Sequence, residues 1–319
     1  MRSQNAGIAF ATSTAVIWGG MFVVGKSALG RIDAFHLTTI RYGVAGALLL
    51  VLLAVVEGRE AFSLDGRGVR LWLLGSLGFA GFNLLAFTGL RHARPESASL
   101  IVAFAPIVTA LVLWARTGAR PRPFVLVTFP LALFGVALVI SRGDLASIGG
   151  SVSWGDALVL VGVVSFVLYT IGAGDFRDFS PLRFTALTAG LGWFTIVGAT
   201  AVVTVAGLEP LPSAGGVWAV TPQIAYITFL GAVVAVLSWN AAVGAIGPQN
   251  TALFGNLLPV TTFAIEIARG YRPNGLELVG AAITVGALVV SNLLARRRAA
   301  TAPETAVGEE EELPLAKAA

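Results

Sequence analysis

Long apolar stretches separated by short polar breaks run through most of the chain. An α-helix rises about 1.5 Å per residue, so roughly 20 apolar residues cross the ~30 Å hydrocarbon layer of a bilayer. Ten stretches of this sequence approach that length. The pattern therefore predicts ten membrane-spanning helices, at residues 7–28, 35–56, 69–90, 97–115, 123–141, 154–173, 182–206, 223–244, 249–268 and 275–295.

The breaks between these stretches carry the residues of loops, as in EGREAFSLDGRGVR and RTGARPRP. Most breaks are short, which predicts hairpins of neighbouring helices and little extramembrane structure. The first stretch is longer than the apolar core of a signal peptide, so we interpret it as a retained span. After the basic run 296–298, the acidic, Ala- and Pro-rich segment 299–319 is predicted to be a disordered cytoplasmic tail.

Composition supports the same interpretation. The chain is 56% hydrophobic and only 12% charged, whereas soluble domains carry roughly 25% charged residues. The net charge is +4, but the arginines lie in separate loops rather than in one stripe, so no nucleic-acid partner is expected. With no cysteine and only two separated histidines, the sequence predicts no disulfide, metal site or other cofactor.

The distribution of Lys and Arg predicts the orientation. If the spans alternate, the loops on the side of the N-terminus carry more of these residues than the loops opposite. Because cytoplasmic loops are enriched in Lys and Arg, we expect a cytoplasmic (inner) membrane protein with both termini in the cytoplasm.

An internal repeat follows from the span count and from the positions of three residue types. Five spans per half is an odd number, so similar halves must have opposite orientations in the membrane. Each half has a proline within a predicted span, a second proline at the start of the next span, and a serine 18 residues later: Pro106, Pro123 and Ser141, then Pro259, Pro273 and Ser291. We predict a first five-helix repeat at 1–145 and a second at 146–298, around a central cavity. In secondary transporters with such repeats, the substrate site lies at the repeat interface.

Several stretches resemble the drug/metabolite transporter superfamily, specifically its EamA type, across residues 7–295. They include IWGGMFVVGKSAL, TTIRYGVAGALLL, GFNLLAFTGLRHARPESASLIVAFAPIVTALV, WGDALVLVGVVSFVLYT and LLPVTTFAIEI. The resemblance implies two five-helix repeats around a cavity, a peripheral fifth span in each half, and metabolite export or exchange. One position departs from it, because Arg272 stands where family members often carry a Gly-Glu pair. That departure suits a divergent branch, such as the exporters of aromatic amino acids and drugs, so the substrate is not carried over.

Two charged residues within predicted spans are candidates for function, because ionisable groups are costly in the membrane interior. Arg41 is suited to pair with a substrate carboxylate or with Glu266, and the alternative is an arginine that snorkels or binds carbonyls at a helix end. Glu266 is suited to bind a proton or a cationic substrate, and the alternative is an interfacial carboxylate paired with Arg269. Asp156, at the start of the sixth span, is predicted to cap its helix.

Uncharged polar and aromatic side chains supply the remaining candidates for the cavity. Amides within spans seek partners on a facing helix or a ligand, and aromatic rings stack on flat substrates. A mid-span proline leaves a carbonyl without its helical partner, which favours a cavity wall over lipid contact. The alternatives are lipid contact or interfacial anchoring for the aromatic residues and a packing kink for the prolines. The candidates are Trp18, Phe79, Phe82, Asn83, Pro106, Tyr169, Trp193, Trp239, Asn240, Asn256 and Pro259.

Taken together, these features predict a secondary transporter. Its partners are the lipid bilayer and a small neutral, zwitterionic or amphipathic metabolite, such as an amino acid or related compound, exported by alternating access. No phosphate-binding loop motif is present, so direct use of ATP is not expected. A passive facilitator or channel is the first alternative. An intramembrane enzyme is the weakest, because few acids and bases lie within the spans. Ion or proton coupling and the oligomeric state stay open.

Overall fold

The computed structural model describes residues 4–118, 123–147, 152–176, 178–246, 251 and 254–300. Within these ranges the regular secondary structure is entirely helical. The predicted all-α class is therefore confirmed. The last helix continues to Ala300, and the rest of the predicted tail, 301–319, lies outside the described residues.

The α-helices of the described residues are numbered in chain order. They are α1 (Gln4–Ala28), α2 (Ala34–Val56), α3 (Gly68–His92), α4 (Pro95–Val102), α5 (Ala105–Thr117), α6 (Pro123–Ile140), α7 (Trp154–Ala173), α8 (Pro181–Val205), α9 (Ala214–Ala219), α10 (Thr221–Ala225, Tyr226–Val234 and Ala235–Ile246 in succession), α11 (Leu257–Ala268) and α12 (Gly275–Ala300). Short 3₁₀ helices occur at Arg59–Phe62 and Leu145–Ser147.

Six of these helices are long and apolar enough to cross a membrane: α1, α2, α3, α7, α8 and the segment Thr221–Ala242 of α10. The pair α4 and α5 is bent by 42° and forms a seventh span if it is counted as one. Shorter apolar helices lie at Val127–Ile140, Leu257–Ala268 and Gly275–Val290. Helices thus stand at each place where the sequence predicts a span, while the length and hydropathy criterion supports six or seven crossings in the described part of the chain.

Several helix starts follow from local chemistry. The Asp33 carboxylate accepts hydrogen bonds from two backbone amides of the first turn of α2, and the Ser180 hydroxyl caps α8, where Pro181 holds the first position. At α7, the Ser153 hydroxyl accepts from the Asp156 amide at 3.2 Å, and the Asp156 carboxylate accepts from the Ser153 amide at 2.9 Å. This capping box confirms the predicted role of Asp156.

The helices depart from regular α-helical geometry in two ways, by π-helical segments and by breaks next to prolines. Ser76–Gly81 within α3 and Tyr226–Val234 within α10 are π-helical. Pro106 and Pro259 lie in the first turns of α5 and α11, not in the middle of a continuous helix as the sequence analysis expected for both. The physical reason is that a proline in a first helical turn loses no intrahelical hydrogen bond, so a helix break just before it is less costly than a mid-helix kink.

Backbones approach closely where glycines face each other. Helix α1 packs on α10 and α11, α7 packs on α3 and α4, α2 packs on α8, and α6 packs on α12. A Cβ atom added to Gly89 of α3 would lie 2.4 Å from the Gly155 carbonyl oxygen of α7. One added to Gly280 of α12 would lie 2.6 Å from the Gly135 carbonyl oxygen of α6. Small residues at helix contacts of this kind are typical of membrane bundles.

Polar contacts gather the loops into two groups. In the first, Arg67 binds Asp178 and Arg183 binds Asp65, which ties the α2–α3 loop to the segment between α7 and α8. In the second, Arg94 binds Glu277 at the start of α12. We call these the Asp65 end and the Glu277 end. They lie at the opposite ends of α3, whose 25 residues span about 37 Å of helix.

Large apolar side chains also cover much of the outer surface. On α8, Phe194 is 65% exposed and Val202 is 67% exposed, and Val127 of α6 is 70% exposed. Soluble monomers rarely expose apolar surface on this scale. These helices are therefore suited to face lipid.

Candidate functional site

Arg41 of α2 is the most deeply buried cation among the described residues, at 2% exposure. Its Nε donates to the Ile227 carbonyl of α10 at 2.9 Å, and its Nη1 donates to the Asn83 side-chain oxygen of α3 at 2.8 Å. Nη2 contacts the Met21 sulfur of α1 at 3.1 Å. We call Arg41 with Met21, Asn83 and Ile227 the Arg41 site. Three consecutive helices, α1, α2 and α3, meet the distant helix α10 there.

No carboxylate of the described residues forms an ion pair with Arg41, whose recorded partners are an amide, a carbonyl and a thioether. The pairing with Glu266 that the sequence analysis considered is absent. Neutral acceptors leave the positive charge uncompensated, and the Met21 sulfur is a weak acceptor. A buried charge without a counter-ion is costly, so it is retained where it has a task.

Asn83 is held in one orientation by its own contacts. Its amide nitrogen donates to the Tyr42 hydroxyl at 3.1 Å and to the Phe79 carbonyl at 3.0 Å. The side-chain oxygen is therefore the atom that faces Arg41. The pairing brings together two residues that the sequence analysis named separately.

Both π-helical segments border this site. The first, Ser76–Gly81, ends two residues before Asn83, and the second supplies the Ile227 and Gly231 carbonyls. Ile227 accepts from Arg41, and Gly231 accepts from the Trp18 indole at 3.0 Å. Interrupted α-helical bonding frees carbonyls for such contacts and often marks functional positions.

Aromatic rings form two groups next to the site. The ring of Phe79 lies 5.3 Å from that of Tyr42 and 5.4 Å from that of Tyr169, which stacks on Phe184 at 5.5 Å. These edge and stacked arrangements favour a rigid wall.

On the other side, the rings of Trp18 and Trp239 are 5.4 Å apart, which joins α1 to α10. Phe82 contacts Phe166 at 5.2 Å between ring centres. A small cavity of about 10 Å³, roughly the room of one water molecule, is lined by Met21, Phe22, Phe82, Ala86, Phe87 and Leu90. Sites for drug-sized molecules have roughly 300–1,000 Å³, so this conformation is closed to such a molecule.

Other predicted residues lie apart from Arg41 and have partners of their own. The Trp193 indole donates to the Thr39 carbonyl at 3.1 Å, and the Asn240 amide donates to the Thr185 hydroxyl at 2.7 Å. These contacts join α8 to α2 and to α10. They fit helix packing without requiring a substrate.

Asn256, just before α11, differs from the other predicted amides. It is 4% exposed, and its side-chain nitrogen has no hydrogen-bond partner among the described residues. Pro259 is buried in the following turn, and Pro106 is half-buried in α5. A buried amide nitrogen without an acceptor suits a ligand that brings one.

Glu266 of α11 forms a 3.2 Å contact with Arg269. This is the pairing that the sequence analysis gave as the alternative to a substrate role. The carboxylate lies near the end of its helix and is half-buried. Its involvement in transport stays a prediction.

The sequence analysis missed two buried carboxylates, Glu277 and Glu96, which are 0% and 3% exposed. Each lies in the first turn of a helix. Glu277 is two residues after Gly275, the first residue of α12, and Glu96 directly follows Pro95, the first residue of α4. For Glu277 the signal was present, because Asn274 and Glu277 have the spacing of a capping box.

Glu277 is the centre of a network at the Glu277 end. Its carboxylate accepts from Arg94 at 2.8 Å, from the Tyr271 hydroxyl at 2.5 Å and from the Asn274 amide at 2.9 Å. Arg142 lies 3.5 Å away. Partial burial, together with the hydrogen bond to Glu277, raises the pKa of the Tyr271 hydroxyl to about 12. The network ties α4, α6 and α12 together.

The Asp65 end carries exposed pairs. Arg67 donates to both carboxylate oxygens of Asp178, at 3.1 and 2.5 Å, and this hydrogen bonding lowers the pKa of Asp178. Arg183 donates to Asp65 at 2.8 Å. The Ser63 hydroxyl, followed by Arg183, lowers the pKa of the Asp65 carboxyl.

Comparisons with known proteins match nearly the whole chain to transporters. The model of the EamA-like transporter family matches residues 5–141 and 153–293. The chain is 31% identical over 288 residues to the uncharacterized transporter YrdR of Bacillus subtilis (strain 168), covering 88% of this chain and 89% of that protein.

Two more distant proteins are also similar. One is a probable terminal-alkyne amino-acid exporter of Streptantibioticus cattleyicolor, 27% identical over 274 residues, covering 82% of this chain and 89% of that protein. The other is a protein crystal structure with a TM-score of 0.63 and 22% identity, covering 93% of this chain and 98% of that chain. The latter supports the fold alone.

Proposed function

Because the chain belongs to the EamA-like transporter family, we propose that it exports a small metabolite with a carboxylate, an amino acid or related zwitterion, by alternating access. Transport itself follows from the family, and the substrate class and mechanism are our proposal. A neutral or amphipathic substrate was an equal expectation from the sequence. The Arg41 site favours the zwitterion.

The observation that carries this proposal is the buried, unpaired charge of Arg41. Its guanidinium lies where α1, α2, α3 and α10 meet, and its two oxygen partners are both neutral. A substrate carboxylate would supply the missing negative charge, and a guanidinium binds a carboxylate through two parallel hydrogen bonds. Asn256 offers a further donor.

The other end of a zwitterion carries an ammonium group. No acid lies in the Arg41 site, but Trp18, Trp239 and Tyr42 border it. Aromatic faces attract such a cation. We therefore expect the ammonium to face these rings while the carboxylate binds Arg41.

Alternating access rests on a proposed architecture of ten spans in two inverted five-helix repeats, 1–145 and 146–298. In that numbering, the two π-helical segments lie in the third span of each half, and Pro106 and Pro259 start new helices in the fourth. The helix contacts made by corresponding spans of the two halves also correspond. The first span packs on the eighth and ninth, and the sixth packs on the third and fourth.

We propose that the Asp65 end faces the cytoplasm and that the protein lies in the inner membrane with both termini inside. Loop charge supports this orientation. The grouping of the loops into two ends agrees with spans that alternate in direction.

Uptake into inside-out membrane vesicles tests the proposal. Vesicles with the wild-type protein should accumulate radiolabelled L-amino acids from a mixture, and vesicles without it should not. Arg41→Gln should reduce this uptake at least about tenfold, while Arg59→Gln, which replaces an exposed residue in the 3₁₀ helix between α2 and α3, should retain it. Entry that stops at equal concentrations would indicate a passive facilitator. Full uptake by Arg41→Gln would exclude Arg41 as the substrate anchor.

A further inference from the structure

Glu96 is a buried carboxylate to which neither the family resemblance nor the proposed substrate site assigns a role. It lies in the first turn of α4, directly after Pro95, and is 3% exposed. Its Oε2 atom is buried and has no hydrogen-bond partner among the described residues. By contrast, the nearby buried Glu277 accepts three hydrogen bonds.

The cations near Glu96 are bound to other acceptors. The Lys26 ammonium, at the end of α1, donates to the carbonyls of Leu90, Arg91 and Ala93 at 2.7–2.9 Å. Arg94 donates to Glu277 and to Tyr271, each at 2.8 Å. Neither cation forms an ion pair with Glu96.

Several charged groups face Glu96 from the elements around it. Those whose charges act on it or respond to it are Lys26 from α1, Arg94 before α4, Glu266 from α11, Tyr271 after α11 and Glu277 from α12. Asp156 of α7, which packs on α4, is held in its capping box. The two neighbouring glutamates add negative charge, so the surroundings do not favour a further carboxylate without a counter-ion.

A carboxyl group in this setting gains more from a proton than from the other common ligands. Burial of Oε2 without a hydrogen-bond donor penalises the charged form, and protonation removes that penalty. Among the described residues, no group of three or more His, Cys, Asp or Glu side chains could hold a metal ion. A single carboxyl therefore points to a proton site.

We propose that Glu96 binds and releases the proton that is exchanged for substrate, an inference that rests on the proposed carrier function. In the present conformation Oε2 carries the proton and the group is a neutral acid. When the proton leaves, the resulting carboxylate attracts the Lys26 ammonium away from the carbonyls at the end of α3.

This exchange of partners connects the proton to the substrate site. The three carbonyls that hold Lys26 fasten α1 to the end of α3, and α1 also carries Met21, which contacts Arg41. Movement of Lys26 toward Glu96 would loosen α1 from α3. The Arg41 site is built between these same helices.

Infrared difference spectroscopy of the purified protein during a pH titration tests the proton site without any substrate. A carboxylic-acid C=O band should titrate in the wild type, disappear in Glu96→Gln, and return at a shifted position in Glu96→Asp. Glu209→Gln, which alters a partly exposed pair with Arg91, should retain the band. Its persistence in Glu96→Gln, or its loss in Glu266→Gln instead, would overturn the proposal.

A second measurement separates this proposal from the carrier function. In proteoliposomes, a pH-sensitive dye should report proton movement when a mixture of L-amino acids is added to the wild type. Glu96→Gln should abolish that signal and still exchange labelled for unlabelled amino acids. Proton movement in Glu96→Gln would refute the proposed role of Glu96 and leave the proposed carrier function standing. The absence of any amino-acid exchange in the wild type would refute the proposed function, while the infrared result would stand.

Discussion

Replacement of Glu277 tests how strongly the network at the Glu277 end stabilises the bundle. In Glu277→Gln, one oxygen remains to accept from Arg94 and Tyr271, but the acceptor is now neutral. The new amide nitrogen faces the Asn274 amide, which then has no acceptor. The side chain has no access to solvent, at 0% exposure, so water does not replace what is lost.

The magnitude follows from these three contacts. Hydrogen bonds to charged groups contribute ~1.5–3 kcal/mol and neutral ones ~0.5–1.5 kcal/mol, so two bonds weakened by about 1 kcal/mol each and one lost bond of about 2 kcal/mol amount to about 4 kcal/mol. This is within the ~3–5 kcal/mol expected when a buried ion pair is broken. At roughly 2 °C per kcal/mol for a chain of this length, the unfolding temperature should fall by about 8 °C.

Thermal unfolding in detergent, followed by circular dichroism of the helix signal, measures this change. The matched control is Glu209→Gln, which removes the partner of Arg91 at the same end of the bundle, where both side chains are partly exposed. Such pairs contribute about 0–1 kcal/mol, so the control should shift by no more than about 2 °C. Equal shifts in the two variants would refute the stabilising role of the buried network.

Three further predictions concern helix packing, the substrate site and the Asp65 end. Gly280→Ala places a Cβ 2.6 Å from a facing carbonyl oxygen and should cost about 1–3 kcal/mol, whereas Gly286→Ala on the same helix meets nothing within 4 Å and should not lower the unfolding temperature. Asn83→Asp puts a carboxylate in place of the amide oxygen 2.8 Å from Arg41 and should reduce amino-acid uptake about tenfold or more. The pKa of Asp178 is lowered from its ordinary value of 3.8, so its stabilising contribution is present above that value and is lost as pH falls through the lower folded-state pKa. Asp178→Asn should therefore lose less stability than the wild type on acidification below about pH 4.

Each of these has a clear contrary result. Equal unfolding temperatures for the two alanine variants would mean that the α6–α12 contact accommodates an added methyl group without loss of stability. Normal uptake by Asn83→Asp would mean that transport does not require Arg41 to be free of an ion pair within the protein. Parallel acid unfolding of Asp178→Asn and the wild type would mean that the exposed pair does not contribute to stability.

The positions of the helices could be predicted because each depends on a local property of the sequence. Apolar stretches set the helical segments, and the Ser153–Asp156 capping box follows from residues three positions apart. The break before Pro106 was not predicted, because a proline permits either a kink or a new helix start. Packing around the whole bundle decides between the two.

The candidate site could be predicted in its members but not in its pairings. Arg41 and Asn83 were both found as costly polar groups within spans, yet their contact joins residues 42 positions apart and depends on tertiary structure. Glu96 escaped because it follows a proline at a helix start, where an acidic residue is usually a capping group. Its burial arises from the helices packed around it, which no local pattern records.

The central claim is that the positive charge of Arg41 binds the carboxylate of the transported molecule. Counterflow in proteoliposomes tests this claim most directly, with labelled L-amino acids outside and either unlabelled amino acids or their decarboxylated amines loaded inside. The account predicts that internal amino acids accelerate entry of label and that the matching amines do not. Equal acceleration by the amines would contradict it, because a substrate without a carboxylate would then use the site equally well.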